Sequence, residues 1–129
     1  MASCVELTID GREVRVRRVV TAIDCGLVVN PEGVRNQVEG STVMGLGAAL
    51  YEAVEIGDGV VLNTSLSRYQ VPRITDTPDI EVVLVGDPGE PSTGAGEPGI
   101  VTVAPAVANA VFAATGQRIR ELPIKRQLR

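Results

Sequence analysis

Val5, Leu7 and Ile9 alternate with polar residues, the two-residue period of a strand with one buried face. Asp10-Gly11 is a turn signal, and Glu13 to Ile23 continues as a second strand rich in Val and Arg. The two strands should pair as a hairpin. Asp24-Cys25-Gly26 breaks the pattern, and Asn30-Pro31 reads as a helix start, with Asn30 as N-cap and Pro31 in the first turn. From Pro31 to about Val54, the residues Val34, Val38, Thr42, Leu46, Ala49 and Ala53 recur at helical spacing. This helix carries Gly40, Gly45 and Gly47, and each interior glycine costs about 1 kcal/mol relative to alanine. Close approach to a sheet, another helix or a cofactor would offset that cost.

Further along, Gly57-Asp58-Gly59 marks a turn and Val60–Leu62 a short strand. Asn63–Pro78 is irregular, with Tyr69-Gln70-Val71-Pro72 extended ahead of its proline. Ile80–Val85 predicts a strand, Gly86–Gly99 a long loop dense in Gly and Pro, and Val101–Thr115 a helix closed by Gly116. Ile119–Ile124 predicts a final strand, followed by a basic tail, Lys125–Arg129. The order β-β-α-β-β-α-β over residues 1–129 implies one α+β domain in two layers.

Composition narrows the chemistry. Hydrophobic residues make up 44% but aromatics only 2%, so the core must be aliphatic. With 12 Lys and Arg against 16 Asp and Glu, the chain lacks the basic excess of a nucleic-acid binder. The absence of histidine excludes Ser-His-Asp triads, Cys-His dyads and most zinc sites. Cys4 and Cys25 lack metal-ligand spacing and read as reduced, buried thiols. No apolar run of membrane-spanning length and no signal peptide stand out, so a soluble cytoplasmic protein is expected.

The stretch Pro91-Ser92-Thr93-Gly94-Ala95-Gly96-Glu97-Pro98-Gly99 follows a strand and leads into a helix. Its glycines let backbone N–H groups face a ligand, and a helix N-terminus adds partial positive charge, which suits an anionic group. A small phosphate-binding protein is one reading of this cradle. Gly94-x-Gly96-x-x-Gly99, with Glu121 downstream, also matches a dinucleotide-binding pattern. That reading fails because the first glycine lies well beyond Val85, Pro98 lacks an N–H and Glu97 would repel a pyrophosphate. Glu97 is either a helix cap or a carboxylate base, bare backbone around it allowing close approach to a substrate.

In the same order, Gln37-Val38-Glu39-Gly40, Tyr69-Gln70-Val71-Pro72 and Gly94-Ala95-Gly96-Glu97-Pro98-Gly99 resemble the large subunits of molybdenum hydroxylases, the xanthine dehydrogenase and aldehyde oxidase family. Ala22–Pro31 and Ala104–Ala110 most resemble its isoquinoline 1-oxidoreductase branch. The resemblance runs from about Val5 to the C-terminus. It implies a molybdopterin-subdomain fold and a molybdenum atom held by a pterin dithiolene, with no protein metal ligand. A cytosine dinucleotide form of molybdopterin is expected. By the same resemblance, Glu97 takes a proton from the metal-bound hydroxyl, whose oxygen attacks an aldehyde or N-heterocycle carbon. Hydride passes to a sulfido ligand, and electrons leave through iron–sulfur clusters. Gln37 is implied as a hydrogen-bond partner of the cofactor, and Thr93, Gly94, Ala95 and Gly96 as backbone contacts. Family large subunits are several times longer, so the expected partners are the remaining large-subunit domains and an iron–sulfur subunit. The chain alone is expected to hold no cofactor, to catalyse nothing and to self-associate as a homo-oligomer. The alternative is a stand-alone module that keeps the fold without the chemistry.

Overall fold

The computed structural model describes residues 1–128. Strand β1 (Ala2–Asp10) pairs antiparallel with β2 (Glu13–Ile23), and β2 pairs parallel with β5 (Asp79–Leu84), giving the sheet order β1-β2-β5. Between β2 and β5 runs the long helix α1 (Pro31–Leu50). A parallel pair needs such a crossover, and α1 supplies it. The later helices α2 (Pro98–Val101) and α3 (Val103–Thr115) complete the helical layer. The class is α+β, as the patterning predicts.

The alternation in β2 changes phase. Val14 and Val16 are buried, then Val19, Thr21 and Ile23. The register with β1 slips between Glu6 and Leu7, which face Arg18 and Val16, so Arg17 is the extra residue of a β-bulge. The Arg17-Arg18 doublet is the sequence mark of that slip.

Helix α1 starts where Asn30 predicts: its side chain accepts from the Gly33 N–H at 3.0 Å. It ends at Leu50 rather than near Val54, with Tyr51 as C-cap. Gly45 and Gly47 are explained by close packing. A Cβ on Gly45 would lie 2.9 Å from Val103, and one on Gly47 would lie 2.7 Å from Pro72. Beyond α1, Val60–Val61 (β4) pairs only with Ile56–Gly57 (β3), a separate two-stranded hairpin that the patterning half anticipates. Its turn residues Asp58 and Gly59 both have positive φ, 49° and 78°, as a primed hairpin turn requires.

Three expectations need correction. The segment from Ile119 to Ile124 is not a strand; it is irregular and ends in a 3-10 turn over Ile124–Arg126. Pro123 cannot donate to a ladder, and the segment is held instead by the buried side chains of Ile119, Ile124 and Leu128. Cys4 is exposed, and only Cys25 is buried. Pro98–Thr115 has the length and hydropathy of a membrane span, contrary to the sequence reading. It is nevertheless split at Thr102, whose hydroxyl meets that of Ser3 at 2.6 Å, and Val103, Val107 and Val111 are fully buried in the core. The last residue of the basic tail, Arg129, lies outside the described residues.

The core has two parts. The larger joins Val14, Val16 and Val19 of β2 to Leu46, Ala49 and Leu50 of α1, to the buried face of α3 and to the C-terminal segment. The smaller joins Ile23, Cys25, Val38 and Val82, with Val28, Val34 and Ala95 packed against it. This second cluster lies under the loop that carries Glu97.

Candidate functional site

Strands β2 and β5 run parallel, so both end at the same edge of the sheet, where open α/β sheets commonly bind ligands. The segments leaving that edge are laced together. Val85 N–H donates to the Ile23 carbonyl at 2.9 Å, Leu27 N–H to Glu90 at 3.0 Å, and Thr93 N–H to Cys25 at 3.1 Å. The lacing is tight enough to demand glycine at position 26: φ is +65°, and a Cβ there would lie 2.2 Å from the Pro91 carbonyl oxygen.

Helix α1 forms the third wall. Gln37 Nε2 donates to the Gly96 carbonyl at 2.6 Å, so the loop is clamped to the helix directly in front of Glu97. Grooves flank this clamp. One, about 360 Å³, is lined by Leu27, Val29, Asn30, Gln37, Gly94 and Gly96 among others. The other, about 570 Å³, is lined by Gln37, Gly40, Ser41, Met44, Glu97 and Ile100, with Val43 and Gly96. Gln37 and Gly96 border both.

Glu97 is the N-cap residue of α2, yet its side chain makes no capping hydrogen bond. The carboxylate is exposed on the groove wall. The position is fixed from the next turn. Gly99 is buried, and a Cβ there would lie 1.8 Å from the Ser41 hydroxyl oxygen, so only glycine lets α2 seat on α1. The four-residue length of α2 gives Glu97 a much weaker helix dipole than a continuous helix from Pro98 to Thr115 would supply.

The loop groups divide into spent and open ones. The Thr93 N–H is used by Cys25, leaving its hydroxyl and carbonyl. The Gly96 carbonyl is used by Gln37. Among the described residues, the N–H groups of Gly94, Ala95 and Gly96 have no hydrogen-bond partner within the chain. Gly94 has φ +85°, a conformation that favours glycine. Ala95 is half-buried against the lower core cluster and anchors the loop from beneath.

The predicted residues Gln37, Thr93, Gly94, Ala95, Gly96 and Glu97 therefore meet at one edge. Sequence reasoning missed Ser41, Met44 and Ile100 beside Glu97, and Leu27 and Val29 on the far side. A signal existed for two of these: Gln37, Ser41 and Met44 lie at i, i+4 and i+7 on α1, a single helix face. Around this edge Val29 is 84% exposed, Met44 66% and Val101 69%. Among the described residues no group of three or more His, Cys, Asp or Glu side chains could hold a metal ion.

Comparison with known proteins gives the same direction. A family model described as the molybdopterin cofactor-binding domain matches residues 1–78. The chain is 41% identical over 119 residues to the aldehyde oxidoreductase molybdenum-binding subunit of Escherichia coli, covering 87% of this chain and 16% of that protein. It is 40% identical over 121 residues to one of the subunits of nicotinate dehydrogenase from Pseudomonas putida, covering 92% of this chain and 10% of the relative. That alignment runs through the Glu97 loop, because 32 residues follow Glu97 and far fewer are left unaligned. The crystal structure of quinoline 2-oxidoreductase from Pseudomonas putida superposes with a TM-score of 0.81 at 30% identity, covering 93% of this chain and 16% of that one. The chain thus spans 10% to 16% of the length of these relatives. Matched over more than half its length and aligned with molybdenum-hydroxylase relatives through the loop that carries Glu97, the chain belongs to the molybdopterin cofactor-binding domain family.

Proposed function

We propose that this chain is the C-terminal cofactor-binding portion of a molybdenum hydroxylase large subunit, with Glu97 as the base of the hydroxylation. The observation that carries the reading is the exposed Glu97 carboxylate, free of any capping bond and held at a groove by the Gln37 clamp and the Gly99 seat. A structural cap would turn its oxygen onto the backbone of α2; this one faces open space.

The residues present fit a pterin cofactor. Open N–H groups on Gly94, Ala95 and Gly96 can donate to an anionic or carbonyl-bearing ligand, and the Gln37 amide oxygen can accept from a ring N–H. When bound, the cofactor would supply the redox-active metal and the oxygen donor, in the form we assign as the cytosine dinucleotide. Gln37 and the glycine loop would orient it. Glu97 would hold the proton taken from a hydroxyl presented at the groove. Ile100 and Met44 would exclude water from that exchange, and low local polarity would favour a substrate that is an aldehyde or an N-heterocycle. The remaining large-subunit domains would close the groove, and an iron–sulfur subunit would take the electrons. A cytoplasmic setting fits this assignment.

The test is Glu97→Gln in the enzyme assembled with its upstream domains and loaded with cofactor. Cofactor content and melting temperature should stay near wild type, because Glu97 makes no cap bond to lose. Turnover should fall by roughly 10²–10⁴, the usual worth of general-base assistance. Unchanged turnover in a cofactor-loaded variant would end the assignment of Glu97 as the base.

A further inference from the structure

A third groove, about 720 Å³ and away from the Glu97 edge, lies between the β1–β2 turn and the C-terminal segment. Among the described residues its lining includes Arg12, Arg118, Arg120 and Arg126, against a single acidic side chain, Glu121. That is four of the 12 cationic residues beside one of the 16 acidic ones, in a chain of net charge −4. A concentration of this sign runs against the composition.

The arginines are held in different ways. Arg118 lies over the Phe112 ring at 3.5 Å from its centroid and donates to Asn109 Oδ1 at 3.2 Å, which fixes its guanidinium. Arg126 pairs with Glu55. Arg12 and Arg120 have no carboxylate within 4.0 Å among the described residues. The floor is shaped by glutamines: Gln117 Nε2 donates to the Gln127 carbonyl, and Gln127 Nε2 donates to Glu121 Oε2 at 3.3 Å.

We propose that this groove docks an acidic polypeptide segment, one bearing several Asp or Glu side chains. Guanidinium forks match carboxylates in bidentate geometry, and spaced arginines read spaced carboxylates. The volume exceeds what one small oxyanion fills. A nucleic acid is disfavoured because the aromatic ring at the site, Phe112, already has Arg118 on its face, leaving no platform for a base.

The experiment measures binding of a fluorescently labelled dodecaglutamate peptide to the 129-residue chain by anisotropy at low and moderate salt. Binding should be saturable and should weaken as salt rises. Arg12→Glu with Arg120→Glu should weaken it by about tenfold or more, whereas Arg15→Glu with Arg17→Glu, an equal change in net charge elsewhere, should leave it within about twofold. Circular dichroism checks that each variant is folded, and Arg12→Gln with Arg120→Gln serves if the reversals are not. Three results would overturn the proposal: binding no tighter than that of a Gly/Ser peptide, equal loss in both double variants, or tighter binding of a single-stranded oligonucleotide of equal charge. Full competition by millimolar inorganic phosphate at constant ionic strength would also overturn it, reassigning the groove to a small oxyanion.

Discussion

Gly40 and Gly45 lie on the same helix and meet opposite surroundings. A Cβ on Gly45 would collide with Val103 and crowd Ile100 at 3.2 Å, while one on Gly40 would meet nothing within 4 Å. In the chain alone, Gly40→Ala should stabilise by about 0.5–1 kcal/mol through reduced unfolded-state entropy and better helix propensity. Gly45→Ala should destabilise by about 1–3 kcal/mol, the ordinary cost of overpacking. Chemical denaturation of the two variants checks the contrast. Gly40 borders the Glu97 groove, where the fold leaves room for a side chain. Equal destabilisation by both variants would mean that α1 packs as tightly at Gly40 as at Gly45.

The end of α1 is tied to the turn over Ile74–Asp76. Tyr51, the C-cap residue, donates its hydroxyl to Asp76 Oδ2 at 3.3 Å. Burial, then the Asp76 carboxylate, pushes the Tyr51 phenol up to about 12. A phenol whose folded pKa exceeds its unfolded value of 10.0 stabilises fully below pH 10. That contribution is lost as pH climbs from about 10 toward 12. Denaturation midpoints should therefore fall over this range in the native chain, and less steeply in Tyr51→Phe. An identical pH profile in the variant would show that Tyr51 does not carry the effect. Most of the elements are legible in the sequence. The Asn30-Pro31 start, the β1–β2 hairpin and the Gly116 cap, at φ 73°, rest on local signals, and the fold keeps all three. The departures are decided at a distance. Ile119–Ile124 has the composition of a strand, but it pairs with neither edge strand of the sheet, and tertiary burial of Ile119 and Ile124 sets its path. The exposure of Cys4 depends on which sheet face carries the helices, and strand alternation alone does not choose between faces. The candidate residues Gln37 and Glu97 are pointed to by the family resemblance, whereas the Ser41–Gly99 contact needs the fold.

At the scale of the whole molecule, apolar surface gathers where the chain ends its β2 and β5 strands. Val29, Met44 and Val101 are exposed around one edge, and Leu66 and Ile74, at 80% and 89%, on the irregular segment beyond α1. Water contact over such surface favours association, so the chain alone should self-associate as its concentration rises. Sedimentation velocity over a concentration series checks this; a single monomer species throughout would show that the exposed side chains are too scattered to act together. On the proposed large-subunit reading, upstream domains supplied in trans should suppress the association by covering the same surface. For the same reason the chain alone should hold no stoichiometric molybdenum, since these walls would form one side of a larger cavity; elemental analysis of the purified chain checks it.

The parallel register of β2 with β5 sets Arg18 opposite Asp79 and Val19 opposite Ile80. Such a pairing closes a long loop before any of its hydrogen bonds form, an entropic cost that the β1–β2 hairpin avoids. The hairpin and α1 are therefore the natural early structures, and β5 the late one. The loop that leaves β5 and carries Glu97 depends on that closure, whereas α3 packs into the larger core, which holds no β5 residue. On a ribosome the order is stricter still, because β5 and the Glu97 loop emerge after α1 is complete. Pulse-labelled amide exchange during refolding should show protection at Val5–Ile9 before Val82–Leu84, and simultaneous protection would mean the sheet assembles in one step.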